Sequence, residues 1–417
     1  MVRRGGPGHA RVVIGCLAIA SSGCALLTPT SSQVPQPEWS PEQAQSTAAS
    51  SASTIGTPAE LRAPRNALDD GYYSVTGVMH IHTRYSDGTG TFKEIERIAN
   101  RERLDYIVVT DHNTLQPLRD GHQGWHGRTL VLIGTELSTR AGHFLALNIH
   151  DDISCNQPTQ AIIDEVNRQG GLGFIAHPYF KRRRWTDWTV HGFTGIEGYN
   201  TAHDVFDENR LRLALWAMAL PPESLYLSIV DRPYDALSKW DALAEQRGPI
   251  VGIGSSDAHG VKVLGLNVAP YDISFKLVRT HVLLPAGVAL TEPRFYDALR
   301  AGHAYFSIDL ITASNGFAFF AVDEQRVAGI MGDTIDFKPG LQLITKTPAL
   351  ARLMLYRNGL MVSSSSGRFW RVPITEPGIY RLEANRHGKP WIFSNPIYVR
   401  NKAVATQAEQ HDATTER

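Results

Sequence analysis

Between about Ser74 and Ile308, short apolar runs alternate with amphipathic helical patterns, and this alternation constrains the fold more than any other feature of the chain. The pattern predicts strands over Val75–Ile81, Leu104–Thr110, Leu130–Gly134, Phe144–Ile149, Leu172–Ala176 and Ile250–Gly254. It predicts helices over Thr91–Arg103, Pro158–Gln169, Tyr234–Gln246 and Thr291–Ala301. Thr91 and Glu94 have the spacing of a capping box, and Gly170 and Gly171 stop the second helix. Strands interleaved with helices favour a parallel β/α architecture, either a barrel or an open sheet. From about Thr312 the helical period fades. Alternating runs such as Leu341–Thr345, Arg352–Tyr356 and Gly378–Ala384 predict a small antiparallel β-sandwich over residues 311–400.

The N-terminal segment reads as a targeting signal. Arg3, Arg4 and Arg11 precede an apolar run, Val12–Ala20, that is too short for a bilayer span of about 20 residues. Ser21, Ser22 and Gly23 then lead into Cys24, a pattern that resembles a bacterial lipoprotein signal with Cys24 as the lipidated residue; plain secretory cleavage is the alternative. Residues 1–24 are therefore read as the signal and 25–65, rich in Ser, Thr, Pro, Ala and Gln, as a disordered tether. The tail over 401–417 reads the same way. An exported protein, periplasmic or at the cell surface, is expected, touching membrane through a lipid anchor only. Lys+Arg and Asp+Glu both total 41, so no net charge draws the chain to nucleic acid. With Cys16 inside the signal, Cys155 is the one thiol besides Cys24, and no disulfide framework can form.

The chemistry-bearing residues gather where the predicted strands end. They are His80-Ile81-His82 with Asp87 shortly after, then Asp111-His112, Glu136, Gly142-His143, His177-Pro178 and Asp257-Ala258-His259. On a strand, residues two apart point to the same side, so His80 with His82, and Asp257 with His259, can each face one centre. Parallel β/α barrels converge their strand C-termini on one face, where sites are built. An imidazole and carboxylate set without thiolates suits zinc, manganese or iron. A single His after a strand is ordinarily a hydrogen-bonded loop residue; the ordered set is what points to metal. Lys181–Arg184 follows closely, and Arg182 and Arg184 are candidates to bind substrate, against the reading of a solvated basic loop.

This succession resembles the PHP (polymerase and histidinol phosphatase) superfamily over Ser74 to Ile308. The resemblance implies a distorted (β/α)7 barrel over residues 66–310 and a centre of two or three divalent metal ions. It implies that His80, His82, Glu136 and Asp257 ligate a first metal. Glu136 would bridge to a second, held by His143 and His177, and Asp87, His112 and His259 would ligate a third. Asp87 stands where some members carry His. Ile196–Asn200, Gly302–Tyr305 and Ser394–Tyr398 are similar to the CehA/McbA-like branch. The implied activity is a phosphoesterase that directs a metal-bridging hydroxide onto a small phosphate ester, with Asp257 or His259 relaying a proton to the leaving group. Two other readings stand beside it: a carbamate, ester or amide hydrolase with the same centre, and a lipid-anchored surface binding protein.

Overall fold

The computed structural model describes residues 70–201, 220–263, 266–324 and 326–402. Cys24, the signal, the tether and nearly all of the tail lie outside the described residues, as does His203. No helix among the described residues is long and apolar enough to cross a membrane.

The chain is mixed α/β, with one large sheet and short helices. In order, the first part contains β1 (Tyr72–Ile81), α1 (Phe92–Arg101), β2 (Tyr106–Val109), α2 (Gln116–Arg119), β3 (Gly124–His126), β4 (Thr129–Thr139), β5 (Gly142–Leu147), α3 (Thr159–Arg168), β6 (Leu172–Ile175) and β7 (Gly195–Asn200). There follow α4 (Pro222–Ile229), α5 (Tyr234–Arg247), β8 (Val251–Ser255), β9 (Val261–Val263), β10 (Leu266–Ala269), α6 (Tyr271–Leu277), β11 (Val278–Pro285), α7 (Glu292–Arg300) and β12 (Ala304–Ile308). The Thr91 capping box forms: its hydroxyl accepts the Glu94 N–H, and the Glu94 carboxylate accepts the Thr91 N–H at 2.9 Å.

Pairing is only partly parallel. β1 pairs with β2, β2 with β4, β6 with β7 and β7 with β8 in parallel, whereas β4–β5, β5–β6, β1–β11 and β11–β12 are antiparallel. A purely parallel reading misses this. Thr139 and Gly142 are joined by a two-residue turn that allows only an antiparallel return. Beyond β8 the chain bridges back to the end of β1: Ile81 pairs with Ala258, and the Ala258 N–H donates to the His80 carbonyl at 3.2 Å. The last strand of the series is thereby fastened to the first.

Side-chain alternation along these strands explains the two faces. Ile107, Val109, Val131, Ile133, Phe144 and Ala146 pack against the apolar faces of α1, α3 and α5. Tyr106, Val108, Leu130, Leu132, Leu145 and Leu147 pack together on the other face. Strands buried on both sides, such as β2 with Tyr-Ile-Val-Val, leave no polar alternation to read.

The remaining strands are β13 (Ala318–Asp323), β14 (Arg326–Ile330), β15 (Thr334–Asp336), β16 (Gln342–Arg357), β17 (Leu360–Pro373), β18 (Gly378–Arg386), β19 (Lys389–Ser394) and β20 (Ile397–Arg400). Two runs predicted as separate strands are one long β16, with its register shifted between Lys346 and Ala351. These strands enclose a core of their own around Phe319, Leu343, Leu353, Leu382 and Trp391. Strand pairing does not stop at residue 310, because β12 pairs with β19. Asn395 adds buried hydrogen bonds across the same junction, exchanging contacts with the Gly252 backbone at 2.8 and 3.0 Å. The described residues belong to one compact unit.

Candidate metal centre

The predicted site residues converge at the ends of β1, β2, β4, β6 and β8. Glu136 is their hub. It is fully buried, and its Oε2 lies 3.1 Å from Nε2 of both His80 and His82 and 3.3 Å from His112 Nδ1. Its Oε1 lies 2.7 Å from His143 Nδ1 and 3.0 Å from His177 Nε2. Asp257 Oδ1 lies 3.4 Å from both His80 Nε2 and His82 Nε2, which are 3.0 Å apart.

A second gathering lies beside the first. Asp87 is 3.3 Å from His259 Nε2, 3.6 Å from His112 Nε2 and 3.5 Å from His82 Nδ1. Three overlapping groups therefore have donor atoms close enough to share a cation: His80/His82/Glu136/Asp257, His82/Asp87/His112/His259 and His112/Glu136/His143. Among the sequence-predicted residues, His177 joins through Glu136, and His82 and His112 each serve two groups. Arg182 and Arg184 are not brought in. Both are exposed, and the Arg184 guanidinium lies over the Tyr179 ring, 5.2 Å from its centroid.

The route by which these side chains meet differs from simple strand alternation. His80, His177 and Asp257 have φ of 65°, 26° and 48°, in the left-handed region that L side chains rarely adopt. The β1–β2 register shifts between Val78 and Ile81, so His80 sits in an irregularity of the strand. The two His-x-His-type pairs meet because the backbone is bent at one member, an arrangement that clusters at functional sites.

Several residues that hold the centre in shape were given no role from the sequence. Glu197 on β7 lies 2.7 Å from His80 Nδ1, and its other oxygen accepts the His177 N–H at 2.6 Å and the Asn200 amide at 2.9 Å. The Nδ1 proton of His80 is thereby committed to Glu197, and its Nε2 lone pair faces Glu136 and Asp257. His259 Nδ1 donates to the Asp257 carbonyl at 2.8 Å, leaving its Nε2 toward Asp87. Asp111 anchors the loop carrying Asp87, accepting from the Thr83 N–H, the Thr83 hydroxyl and the Ser86 hydroxyl at 2.8, 2.7 and 2.6 Å. Gly88 is required in that loop, since a Cβ would stand 2.4 Å from the His82 carbonyl oxygen. The Tyr271 hydroxyl lies 2.9 Å from the carbonyls of both His82 and His259. Glu197 lies in the Ile196–Asn200 stretch already singled out; Tyr271 carried no sequence signal.

Electrostatics asks for positive charge here. Burial opposes the charged form of His80, yet the carboxylates of Asp257, Glu136 and Glu197 outweigh it and hold its pKa well above the ordinary value. His259 is raised to about 9 against burial by Asp87 and Asp257. Burial would push the Glu136 and Asp257 carboxyls up, but the surrounding imidazoles hold both below their usual range. Even so, Glu136 Oε2, His112 Nδ1 and His177 Nδ1 are buried without a hydrogen bond. Lone-pair atoms converging at 3.0–3.4 Å repel one another unless protons or a shared cation lie between them. For donors about 2.0–2.1 Å from an ion, tetrahedral edges are about 3.3 Å. The donor set fits divalent metal.

No family model matches the chain. It is 29% identical over 120 residues to the uncharacterized protein MJ1587 of Methanocaldococcus jannaschii, covering 24% of this chain and 66% of that protein, less than two thirds of its length. Among solved structures it is similar to a two-domain Bacteroides vulgatus protein containing a predicted PHP-like metal-dependent phosphoesterase (16% identity, 78% of this chain and 96% of that one, TM-score 0.41). It is also similar to an amidohydrolase from Chromobacterium violaceum with bound sulfate and no metal (15% identity, 44% and 87%, TM-score 0.30). The functional reading therefore rests on the residues of this chain.

Proposed function

We propose that the chain is a metal-dependent hydrolase of the PHP superfamily, in its CehA/McbA-like branch, acting on a small phosphate ester. In this reading residues 66–310 are a distorted (β/α)7 barrel and 311–400 a β-sandwich. The observation that carries it is the set of five separations of 3.0–3.4 Å among His80, His82, Glu136 and Asp257, the spacing of ligands around one ion. His80, His82, Glu136 and Asp257 would hold a first cation. Glu136 with His143 and His177 would hold a second, and Asp87, His112 and His259 a third. Cations so bound supply a water-derived nucleophile near neutral pH and stabilise charge on the substrate's oxygens. The chain's own contribution is orientation: Glu197 fixes the His80 tautomer, and Asp111 and Tyr271 fix the loops that present Asp87, His82 and His259.

One observation favours the carbonyl alternative. Arg182 and Arg184 are exposed, and Arg232, in the wall of the cavity that adjoins His177, is bound bidentately by Glu383. Among the described residues no phosphate clamp of arginines is evident. Metal-loaded protein is expected to cleave p-nitrophenyl phosphate or its diester and to lose this activity on chelation, with recovery on adding zinc, manganese or iron(II). Turnover of 1-naphthyl carbamate alone would shift the assignment to a carbonyl hydrolase, and inertness toward all three would sink the hydrolase reading.

We further propose export and lipid anchoring through Cys24, supported by the sequence pattern before it. Radiolabelled palmitate is expected to label the wild type and not Cys24→Ser; equal labelling of both removes this proposal.

A further inference from the structure

Asp257 stands between two residues that fasten the chain beyond β8 to the end of β1. Ser256 donates its N–H to the Met79 carbonyl at 3.1 Å. Its hydroxyl lies 3.0 Å from the His80 carbonyl and 3.3 Å from that of Met79. With one proton to give, the hydroxyl favours the nearer acceptor, His80. Ala258 donates its N–H to the same His80 carbonyl at 3.2 Å and accepts the His82 N–H at 2.9 Å. Ser256 and Ala258 are both buried, so water is a poor substitute for a bond lost here.

This fastening falls where β1 departs from its own ladder. Between Val78 and Ile81 the pairing with β2 slips: Val78 stands opposite Ile107 and Ile81 opposite Val109, so three steps on β1 face two on β2. Met79 and His80 lie inside the slip, and a bulge disrupts the regular ladder for the residues within it. Their carbonyls are taken up instead by Ser256 and Ala258. His80 has φ of 65° and Asp257, between the two fastening residues, has φ of 48°. Two uncommon backbone turns that carry donors of the first group are thus tied to each other by protein hydrogen bonds. The turn at His80 also sets the reach of its ring, whose Nε2 stands 3.0 Å from His82 Nε2 and 3.4 Å from Asp257 Oδ1.

We propose that the backbone of this cation site is formed before any cation binds, and that Ser256 positions it through the hydroxyl bond that holds His80 in its left-handed turn. The proposal rests on the metal centre described under the proposed function and requires no particular substrate. Ser256 acts through His80, as a positioning residue and not as a ligand.

The test uses the full chain, stripped by chelation and reloaded with zinc(II) or cobalt(II). Ser256→Ala is expected to weaken the tightest zinc site about tenfold in competition with a chromophoric chelator, the scale of losing an outer-shell partner, and to shift the visible bands of bound cobalt(II). Ser307→Ala is the control. It removes an equally buried hydroxyl whose partners are His281, Asp309 and Ser314, none of them a candidate ligand. That variant is expected to lower the melting temperature and to leave zinc affinity within about twofold of wild type. Hydrogen exchange on the wild type supplies a measurement that needs no variant. The amides of His82, Ser256 and Ala258 are expected to be protected in the stripped chain. Wild-type zinc affinity in Ser256→Ala, an equal loss in Ser307→Ala, or free exchange of these amides until metal is added overturns the proposal, as does a wild type that binds neither ion. The expected loss of affinity in a protein that hydrolyses no ester supports the role of Ser256 and counts against the hydrolase reading alone.

Discussion

Glu136→Gln is expected to lower hydrolysis by at least about a thousandfold and to strip the purified protein of most of its metal, since the carboxylate that would hold two cations loses its charge. The substitution keeps volume and shape, but it places an amide where five imidazole nitrogens, at 2.7–3.3 Å, face a carboxylate. No orientation of that amide satisfies all of them. Glu197→Gln, which perturbs only the partner of His80 Nδ1, is expected to cost about 10–100-fold in metal affinity or activity. Elemental analysis after metal loading, kcat/KM and far-UV circular dichroism on both variants make the comparison. Full metal content and wild-type turnover in Glu136→Gln, with the fold intact, would rule out the cluster as catalyst.

Arg381→Met is expected to destabilise the protein by about 3–5 kcal/mol, the cost of leaving buried charges without their partner. Arg381 is almost wholly buried and spans two carboxylates: Asp241 of α5 at 2.6 and 2.7 Å and Glu383 at 2.5 Å. Removing it strands both acids, and only Glu383 keeps a second cation, Arg232. Glu383 is pushed up by burial but held below its ordinary value by Arg232 and Arg381. It therefore contributes stability above its unfolded value near 4.5 and loses it as pH falls through the lower folded value. Urea unfolding at pH 7 and at acid pH should show the penalty at pH 7 and a shallower loss on acidification in the variant than in the wild type. A change under about 1 kcal/mol at pH 7 would mean that the network is not stabilising.

Much of this was legible in the sequence, because the signals were periodic or ordered. The capped helix at Thr91, the helix over Thr159–Arg168 and most strand cores follow from patterning. Most of the nine candidate ligands could be named because they stand at or just after the end of an apolar run, whereas His143 opens one. What escaped has physical causes. Antiparallel returns such as β4–β5 leave the same apolar run as parallel ones when both faces are buried. β11 and β12 carry buried polar residues whose hydrogen bonds go to distant segments: Thr280 to the Gly254 backbone, and His281 to Ser307 and Thr76. Glu197 and Tyr271 act on the site through groups 20 to 189 positions away, or through backbone carbonyls. One-dimensional spacing does not encode such contacts. Arg182 and Arg184, named from a local charge run, are exposed, and Arg184 lies over the Tyr179 ring.

The left-handed backbone at His80, His177 and Asp257 has an evolutionary corollary. Each such residue costs of order 1–3 kcal/mol, which glycine there would recover at once. A lineage released from selection for activity would find its quickest gains in thermal robustness at these three positions, and each gain would delete a donor.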